Sequence, residues 1–477
     1  MTKKFYITAA IPYVNARPHI GHALEFVQVD IIKRYHKLLG EDAISLSGGD
    51  ENALKNVQAA EEAGVPIQEF VDKNTELFRQ LPIKLNAEFD IWQKGSDQKK
   101  HYPSAQKLWK LCEKDIYKKT YEGLYCIGCE TFYSPDELNE NGECFEHPGK
   151  KLQKVAEENY FFALSKYQDS LIKLIDSDKL KIVPETRKNE VLSFLKQPLQ
   201  DISISRTNER AKNWGVPVPQ DGSQRIYVWF DALNIYQSGV GFGWDEKKYK
   251  KYWPADVHAI GKGIIRFHAV YWPAFLLSAG LPLPKSILVH GYFTVNGQKM
   301  SKTLGNVIDP FELIEKYGAD ALRYFLLAKF SPFADGDFSE EKFKEVYNAD
   351  LANGLGNLVS RVAKMAEGPS LEFPVEVKSG NVYRKAQKDA IADFRFDLAL
   401  SNIWTTDISS IDKHVNQETP WTRKGDELQK ILQYEVDEIR SLAKKLKPFL
   451  PETAEKIEKQ FAGPKIKSQK PLFPRIS

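Results

Sequence analysis

Phe5 to Ile11 is a short, mostly apolar run, the pattern of a short buried strand, until Pro12 and the stretch Asn15-Ala16-Arg17-Pro18 break it. Ile20, Leu24, Val27, Ile31, Tyr35 and Leu38 then recur at steps of three and four up to Gly40, which predicts an amphipathic helix with a stop signal. Ala43 to Leu46 reads as a second buried strand, leading through Gly48-Gly49 to Asp50. Strand, helix and strand in that order predict a right-handed βαβ unit with its ligand crevice at the strand ends.

The same alternation returns far downstream. Arg225 to Trp229 reads as a strand, Val257 to Ile260 as another, Ile264 to Ala279 as a helix and Ser286 to His290 as a third strand. A Rossmann-type parallel sheet is therefore expected to be split by an insertion, placed at 121–217, where polar segments and cysteines interrupt the alternation. After Asp309 the pattern turns helical. Leu351, Leu355, Leu358, Val362 and Met365 fall on one helix face, and Phe396 to Ile408 and Leu428 to Leu446 continue the bundle until Pro448 and Pro451 interrupt it. The expected order is an α/β sheet domain in two halves, 1–120 and 218–295, around the insert; a linking region, 296–345, with a lysine-bearing loop and helices; an all-α bundle, 346–461; and a basic tail, 462–477.

A chain of 477 residues exceeds one hydrophobic core and fits roughly two to four domains. With 42% hydrophobic and 27% charged residues it has the composition of a folded soluble protein. No stretch approaches the roughly 20 apolar residues of a membrane helix; the most apolar run, Phe267 to Pro284, is broken by His268, Pro273 and Pro282 and reads as core. The short apolar N-terminus continues into a motif rather than a cleavage site, which predicts a cytoplasmic protein. Net charge is only +3, so charge permits nucleic-acid binding without announcing it. The tail after Phe461 carries Lys465, Lys467, Lys470 and Arg475 with no acidic residue; it contacts phosphates or is a solvated end, and the solvated end is the expectation.

Three motifs carry chemistry. His19-Ile20-Gly21-His22 opens the first helix after Pro18, so both imidazoles lie on one face beside the free amides of a helix N-terminus, a place suited to phosphate. Gly21 would let a nucleotide approach the backbone. Taken alone, the pair reads rather as two ordinary surface histidines. Gly297-Gln298-Lys299-Met300-Ser301-Lys302-Thr303 follows an Asn296-Gly297 hairpin turn and offers Lys299 and Lys302, three apart, to phosphate oxygens; alone, such a run is solvated surface. Cys126-Ile127-Gly128-Cys129 and Cys144-Phe145-Glu146-His147 form two clips with the spacing of tetrahedral Cys3His zinc, closed and structural, with disulfide bonding as the competing account. Cys112 has no partner and reads as a small buried hydrophobe.

The histidine and lysine motifs together, in that order beside the two sheet halves, resemble the paired ATP signatures of class I aminoacyl-tRNA synthetases. Over about the first 450 residues the chain is most similar to methionyl-tRNA synthetases, through Ala10-Ile11-Pro12-Tyr13, Tyr227 to Tyr236, and Ile264-Ile265-Arg266-Phe267-His268 leading to Tyr271-Trp272-Pro273. The resemblance implies a methionine site built from Ala10, Ile11, Tyr13, Trp229, Ala232, Leu233, Tyr236, Ile264 and His268, with Asp50 pairing with the substrate ammonium. It implies ATP bound by His19, Gly21, His22, Lys299 and Lys302 with Mg2+, and Arg206 needed for activation. It also implies a zinc knuckle at Cys126, Cys129, Cys144 and His147, and anticodon readers Asn357, Arg361 and Trp421 in the helical bundle.

The expected reaction is methionine activation by ATP followed by transfer to the 3′ end of methionine tRNA, by a monomer. Two segments depart from the family pattern. Asn52 and Ala53 stand where Glu51 is usually followed by His-Gly, and Gly263 stands where an aspartate usually helps hold the ATP ribose. They leave open a catalytically weakened, synthetase-like RNA-binding protein. A synthetase for leucine, isoleucine or valine would need an editing domain for which the spacing leaves no room, and a cysteinyl enzyme would carry its zinc in the amino-acid pocket.

Overall fold

The computed structural model describes residues 2–126, 131–133, 137–146, 149–300, 305–368, 370–374 and 382–477. The chain divides into two compact units: residues 1–18, 36–82 and 88–290, and residues 19–35, 83–87 and 291–477.

The first unit is organised by a six-stranded parallel sheet. Its strands are β1 (Lys4–Ala9), β2 (Asp42–Gly49), β3 (Ile91–Lys94), and the segments Lys181–Val183, Val257–Gly261 and Ser286–His290. In space the order runs β3, β2, β1, Val257–Gly261, Ser286–His290, Lys181–Val183. Ile7 stands opposite both Val257 and Ser45, so β1 sits at the point where the winding reverses. Strands buried on both faces need apolar side chains throughout, and β1 and Val257–Gly261 are accordingly buried along nearly their whole length. On this sheet packs an aromatic core in which Phe275 meets Phe162 and Phe230 at 5.0 and 4.7 Å between ring centroids. Trp272 and Phe275 are fully buried, as the apolar run from Phe267 predicts. Each such ring contributes about 1.5–3 kcal/mol by leaving water.

The insertion differs from its expected extent. Its antiparallel sheet already begins with Ile116–Cys126, so the boundary at 121 falls inside a strand; Ile116–Cys126 pairs with Thr131–Tyr133 and with Gln153–Phe162. Nor is 121–217 one block. Lys181–Val183 returns to pair with Ser286–His290 and supplies the last strand of the central sheet, because Ile182 needs the sheet to cover it. The strand expected at Arg225–Trp229 is a strand only to Ile226, in a small antiparallel sheet with Ser205–Thr207 and Pro217–Val218; Val228–Leu233 is helix. Period alone does not separate a short apolar strand from a buried helical turn.

The second unit contains the first turns of helix α1 (Ile20–Leu38) and, after a small sheet of Phe293–Val295, Gln298–Lys299 and Gly336–Phe338, an array of helices ending with Gly425–Leu446 and Pro451–Gln460. The region 296–345 is thus partly strand. Helix α1 was expected to keep a polar face in solvent, yet Glu25, Gln28, Asp30 and Lys33 are buried with the apolar positions, and Leu38 is exposed. Burial of Asp30 is compensated locally: it accepts from Arg34 Nε at 2.9 Å and from Arg323 Nη2 at 2.7 Å. Arg323, itself fully buried, also donates to the carbonyls of Phe449 at 2.7 Å and Pro448 at 2.8 Å. The tail corrects the expectation of a solvated end. Ile466 and Phe473 are buried, Phe473 edge-on to Tyr347, and Asn348 exchanges two hydrogen bonds with the Ile476 backbone. Apolar residues spaced among the lysines fasten it. Among the described residues no helix is long and apolar enough to cross a membrane.

Removing one partner of a buried pair leaves the other charge uncompensated at a cost of about 3–5 kcal/mol. Arg323→Leu is therefore expected to destabilise the second unit by that amount, read as a lowered urea midpoint of its unfolding transition, whereas Arg79→Leu, at an exposed pair, leaves the midpoint unchanged.

Candidate active site

At the carboxyl ends of β1, β2 and Val257–Gly261 the chain leaves the sheet in three loops, which carry Ala10, Ile11, Tyr13, Asp50, Ile264 and His268 of the expected methionine site. The Ala10 amide donates to the Ala259 carbonyl at 3.1 Å, the Asp50 amide donates to the Pro12 carbonyl at 2.9 Å, and Tyr13 and Asp50 form a parallel bridge beyond the strands. Backbone pairing therefore brings Ala10, Ile11, Tyr13 and the buried Asp50 together without relying on their side chains. The Val228–Leu233 helix adds Trp229, Ala232 and Leu233, all buried. Tyr13 meets Trp229 edge to face at 6.3 Å, and Trp229 meets His268 at 6.4 Å.

Hydrogen bonds fix the polar side of this cluster. His268 Nδ1 lies 2.9 Å from the Ile264 carbonyl, which only an N–H can satisfy, so Nε2 is the acceptor for the Tyr236 hydroxyl at 2.8 Å. Burial holds the His268 pKa down at about 4, so the ring is neutral at physiological pH. Behind it lies His258, also neutral through burial, with Nδ1 2.6 Å from the Thr8 hydroxyl and its ring 4.5 Å from Tyr236.

Several residues of the site were not singled out from the sequence. Phe267 stacks on Trp229 with ring centroids 3.7 Å apart and planes 2° from parallel. The Lys55 ammonium sits 3.1 Å over Tyr13. Buried Asp231 accepts from the Asn52 amide and meets His101 Nε2, both at 2.6 Å, while Asn52 also donates to the Gly95 carbonyl at 2.8 Å. This network ties the end of β2 to the helix bearing Trp229, and it gives Asn52, a departure from the family pattern, a structural place. His101 and Asp231 are 130 residues apart, so no local spacing signals the pair; Phe267 was signalled only by its place in the family segment.

Arg206 is buried beside the insertion. Its Nη1 donates to the Ser205 carbonyl at 2.7 Å and Ser203 Oγ at 2.9 Å, and its guanidinium lies 4.4 Å from the Tyr227 ring centre. Of the four expected zinc ligands, Cys126 and Cys144 are described. Their buried sulfurs lie 3.2 Å apart and neither is in a disulfide. Thiolates sharing a tetrahedral zinc at about 2.3 Å stand roughly 3.8 Å apart, so a small separation would seat the pair on one ion. Cys129 and His147 lie outside the described residues, and among those described no cluster of three or more metal-ligating groups occurs. Cys112 is buried, its thiol pushed up to about 12 by that burial, as a small hydrophobe should be.

The second unit holds the other motif residues. His19 stands just before α1, its carbonyl accepting from the His22 amide at 2.9 Å. Its Nδ1 accepts from the Gly21 amide at 3.1 Å, and His22 Nδ1 accepts from the His19 amide at 3.1 Å. With Nδ1 an acceptor in both rings, Nε2 carries the proton in the neutral form. Gly21 serves this fold-back, since a Cβ there would stand 2.9 Å from the His19 ring. Burial lowers the His19 pKa to about 4, so at physiological pH the ring is neutral with Nε2–H as its donor. Asn296 and Gly297, at φ 51° and 75°, make the expected hairpin turn, and Gly297 N–H donates to Asp337 at 2.8 Å. Lys299 is described only in its backbone, and Lys302 lies outside the described residues.

Farther along, Asn357 is exposed. Arg361 donates to Asp412 at 2.8 Å and Asn416 at 2.9 Å, tying its helix to Ser409–Glu418, and Trp421, 59% exposed, sits on the turn just beyond.

Residues 5–363 match the family model of class I tRNA synthetases (M). The chain belongs to the class I methionyl-tRNA synthetases. It is 41% identical to the methionine–tRNA ligase of Thermotoga maritima over 95% of this chain and 74% of that protein. To the Brucella suis methionine–tRNA ligase it is 38% identical over 99% of this chain and 98% of that one. The solved Mycobacterium tuberculosis methionyl-tRNA synthetase in complex with methionyl-adenylate aligns with a TM-score of 0.90 at 36% identity, covering 99% of this chain and all of that one. Family membership accounts for the sheet order and for the segments at the three strand ends.

His19 and His268 are neutral in the folded state down to about pH 4, whereas in the unfolded chain they take up protons near 6.5. The stability they contribute is present in full above 6.5 and is lost as pH falls toward 4. The urea midpoint is expected to drop across that window, and His268→Gln, though less stable at pH 7.5, is expected to flatten the drop.

Proposed function

We propose that the chain activates L-methionine with ATP, giving methionyl-adenylate and pyrophosphate, and then transfers methionine to the 3′-terminal adenosine of its tRNA, for initiation and elongation alike. The observation that carries this reading is the convergence, at the reversal point of the sheet, of the buried Asp50 carboxylate with the aromatic wall of Tyr13, Trp229 and Phe267. A flexible, polarizable thioether suits aromatic faces, and a carboxylate at the pocket mouth pairs with an ammonium. Ala10, Ile11, Ala232, Leu233 and Ile264 line the pocket in this reading. Tyr236 and neutral His268 close its polar edge, so no charge opposes an apolar side chain.

In the first step a methionine carboxylate oxygen attacks the α-phosphorus of ATP in line, and pyrophosphate leaves with the electron pair of the broken P–O bond. His19 and His22 hold phosphate oxygens through Nε2–H, with Gly21 allowing that ring geometry; Lys299 and Lys302 add positive charge where negative charge builds. Mg2+ accompanying ATP supplies further neutralisation of the phosphates. Arg206 serves activation from beside the helix bearing Trp229. In the second step a ribose hydroxyl of the tRNA, the 2′-hydroxyl in a class I enzyme, attacks the methionyl carbonyl and AMP departs. Asn357 and Arg361 read anticodon bases by their polar edges while Trp421 offers a stacking face; its exposure supports that role. Cys126, Cys129, Cys144 and His147 hold one structural zinc, and the buried sulfurs of Cys126 and Cys144, 3.2 Å apart and so not bonded to each other, support this over a disulfide between them. We further infer a cytoplasmic monomer.

Amino-acid-dependent exchange of labelled pyrophosphate into ATP tests the reading. Exchange is expected with methionine and with none of leucine, isoleucine, valine or cysteine; folded protein that exchanges with no amino acid would instead be the RNA-binding protein without catalysis. Asp50→Asn is expected to lower kcat/KM for methionine by about 100-fold, equivalent to about 2.7 kcal/mol.

Metal analysis of the purified chain is expected to give one zinc per molecule. Cys144→Ser should lose it and lower the thermal midpoint, while Cys112→Ser should keep it.

A further inference from the structure

The strands Ser205–Thr207 and Asp221–Ile226 pair in a register that sets Arg225 directly opposite Arg206. Side chains opposite one another on an antiparallel pair leave the same face, where like charges repel. A third guanidinium, Arg210, comes from the turn after Ser205–Thr207. With Asn52, Trp214 and Tyr227 these arginines line one small, open cleft. Aromatic rings hold the cations in place: Arg206 stands 4.4 Å from the centre of Tyr227, and Arg210 stands 4.1 Å from that of Tyr125.

Counter-charge is scarce. No acidic side chain lines the cleft among the described residues, and Arg210 reaches a carboxylate only at 3.4 Å, through Nη1 to Glu157. Arg210 Nε and Nη2, Arg225 Nε and Asn52 Oδ1 are buried without a hydrogen-bond partner among the described residues. A guanidinium with buried, unused N–H groups is costly in the free protein. A tetrahedral oxyanion, with several acceptors matched to forked donors, removes that cost.

We propose that this cleft binds a phosphodiester of the 3′-terminal single strand of the tRNA and so guides the terminal ribose to the methionyl group. The inference rests on the functional reading above. Position favours RNA over a free anion. Asn52 lies two residues after Asp50, and Val228, which also lines the cleft, directly precedes Trp229, so the cleft adjoins the methionine pocket. The phosphates of ATP have their own donors in the histidine and lysine motifs. The group still needing a seat beside the pocket is the backbone of the second substrate, whose phosphates immediately precede the reacting ribose.

The test separates the two half-reactions in Arg210→Gln and Arg225→Gln. The kcat/KM for tRNA in aminoacylation is expected to fall at least 10-fold further than the kcat/KM for methionine in pyrophosphate exchange. The slope of tRNA affinity against salt should decrease by about one for each phosphate the variant no longer neutralises. Arg210→Lys and Arg225→Lys, which keep the charge but lose the fork, should fall between wild type and Gln and serve as the readout if the Gln variants fail to fold. Equal losses in both half-reactions, or none in either, would overturn the assignment. Arginine-dependent protection of the cleft by inorganic phosphate or pyrophosphate, with no effect of a short 3′-terminal RNA, would assign it to a free anion instead. Wild-type protein with no exchange would strike the functional reading itself, a result separate from any of these.

Discussion

The position of β1 between two parallel neighbours is the constraint from which the catalytic unit follows. Because β2 and the Val257–Gly261 strand flank β1 in register, the connections on its two sides wind in opposite senses, and the chain leaves a crevice at the carboxyl ends that no connection fills. Much of what is assigned to methionine is delivered there by backbone geometry, Ala10 to Tyr13 from β1, Asp50 from β2 and Ile264 to His268 beyond Val257–Gly261, while the Val228–Leu233 helix and the turn after it bring Trp229, Ala232, Leu233 and Tyr236. The pairing of Asp50 N–H with Pro12 and of Ala10 N–H with Ala259 extends the sheet's hydrogen bonding past its strands.

On that scaffold, buried polar groups fix positions that an apolar core leaves free. The Asp231 carboxylate joins Asn52 and His101, and the Tyr236–His268–Ile264 chain fixes a tautomer. Each network locks the rotamer of a residue next to the pocket, at the cost of desolvating polar groups that must then all be satisfied. In the arginine cleft several such groups of Arg210 and Arg225 are buried together without a hydrogen-bond partner among the described residues, which is why the proposed ligand is placed there. The helical unit follows the same economy in its Asp30–Arg323 pair, where two buried charges anchor helix ends through carbonyls that would otherwise lack donors.

How much of this is legible in the sequence depends on range. The strands at Lys4–Ala9, Asp42–Gly49, Val257–Gly261 and Ser286–His290 are readable because continuous apolar runs bounded by breakers have few alternatives. Lys181–Val183 is not, since three residues carry no periodicity and only the sheet edge makes them a strand. The Arg225–Trp229 run misleads because its apolar residues serve a strand in one half and a buried helix in the other. The tail reads as solvated from its lysines, while its packing rests on Ile466 and Phe473.

The sequence by itself determined the family and most strands of the central sheet, because periodicity, turn chemistry and motif spacing are properties of neighbours along the chain. Only the tertiary structure decided that Asp231 would hold Asn52, that Phe267 would stack on Trp229, that His19 and His268 would be neutral, and that three arginines would share one cleft. Pairings between residues far apart in the chain, and the desolvation that shifts a pKa, come into being only when the sheet and its covering elements close around them.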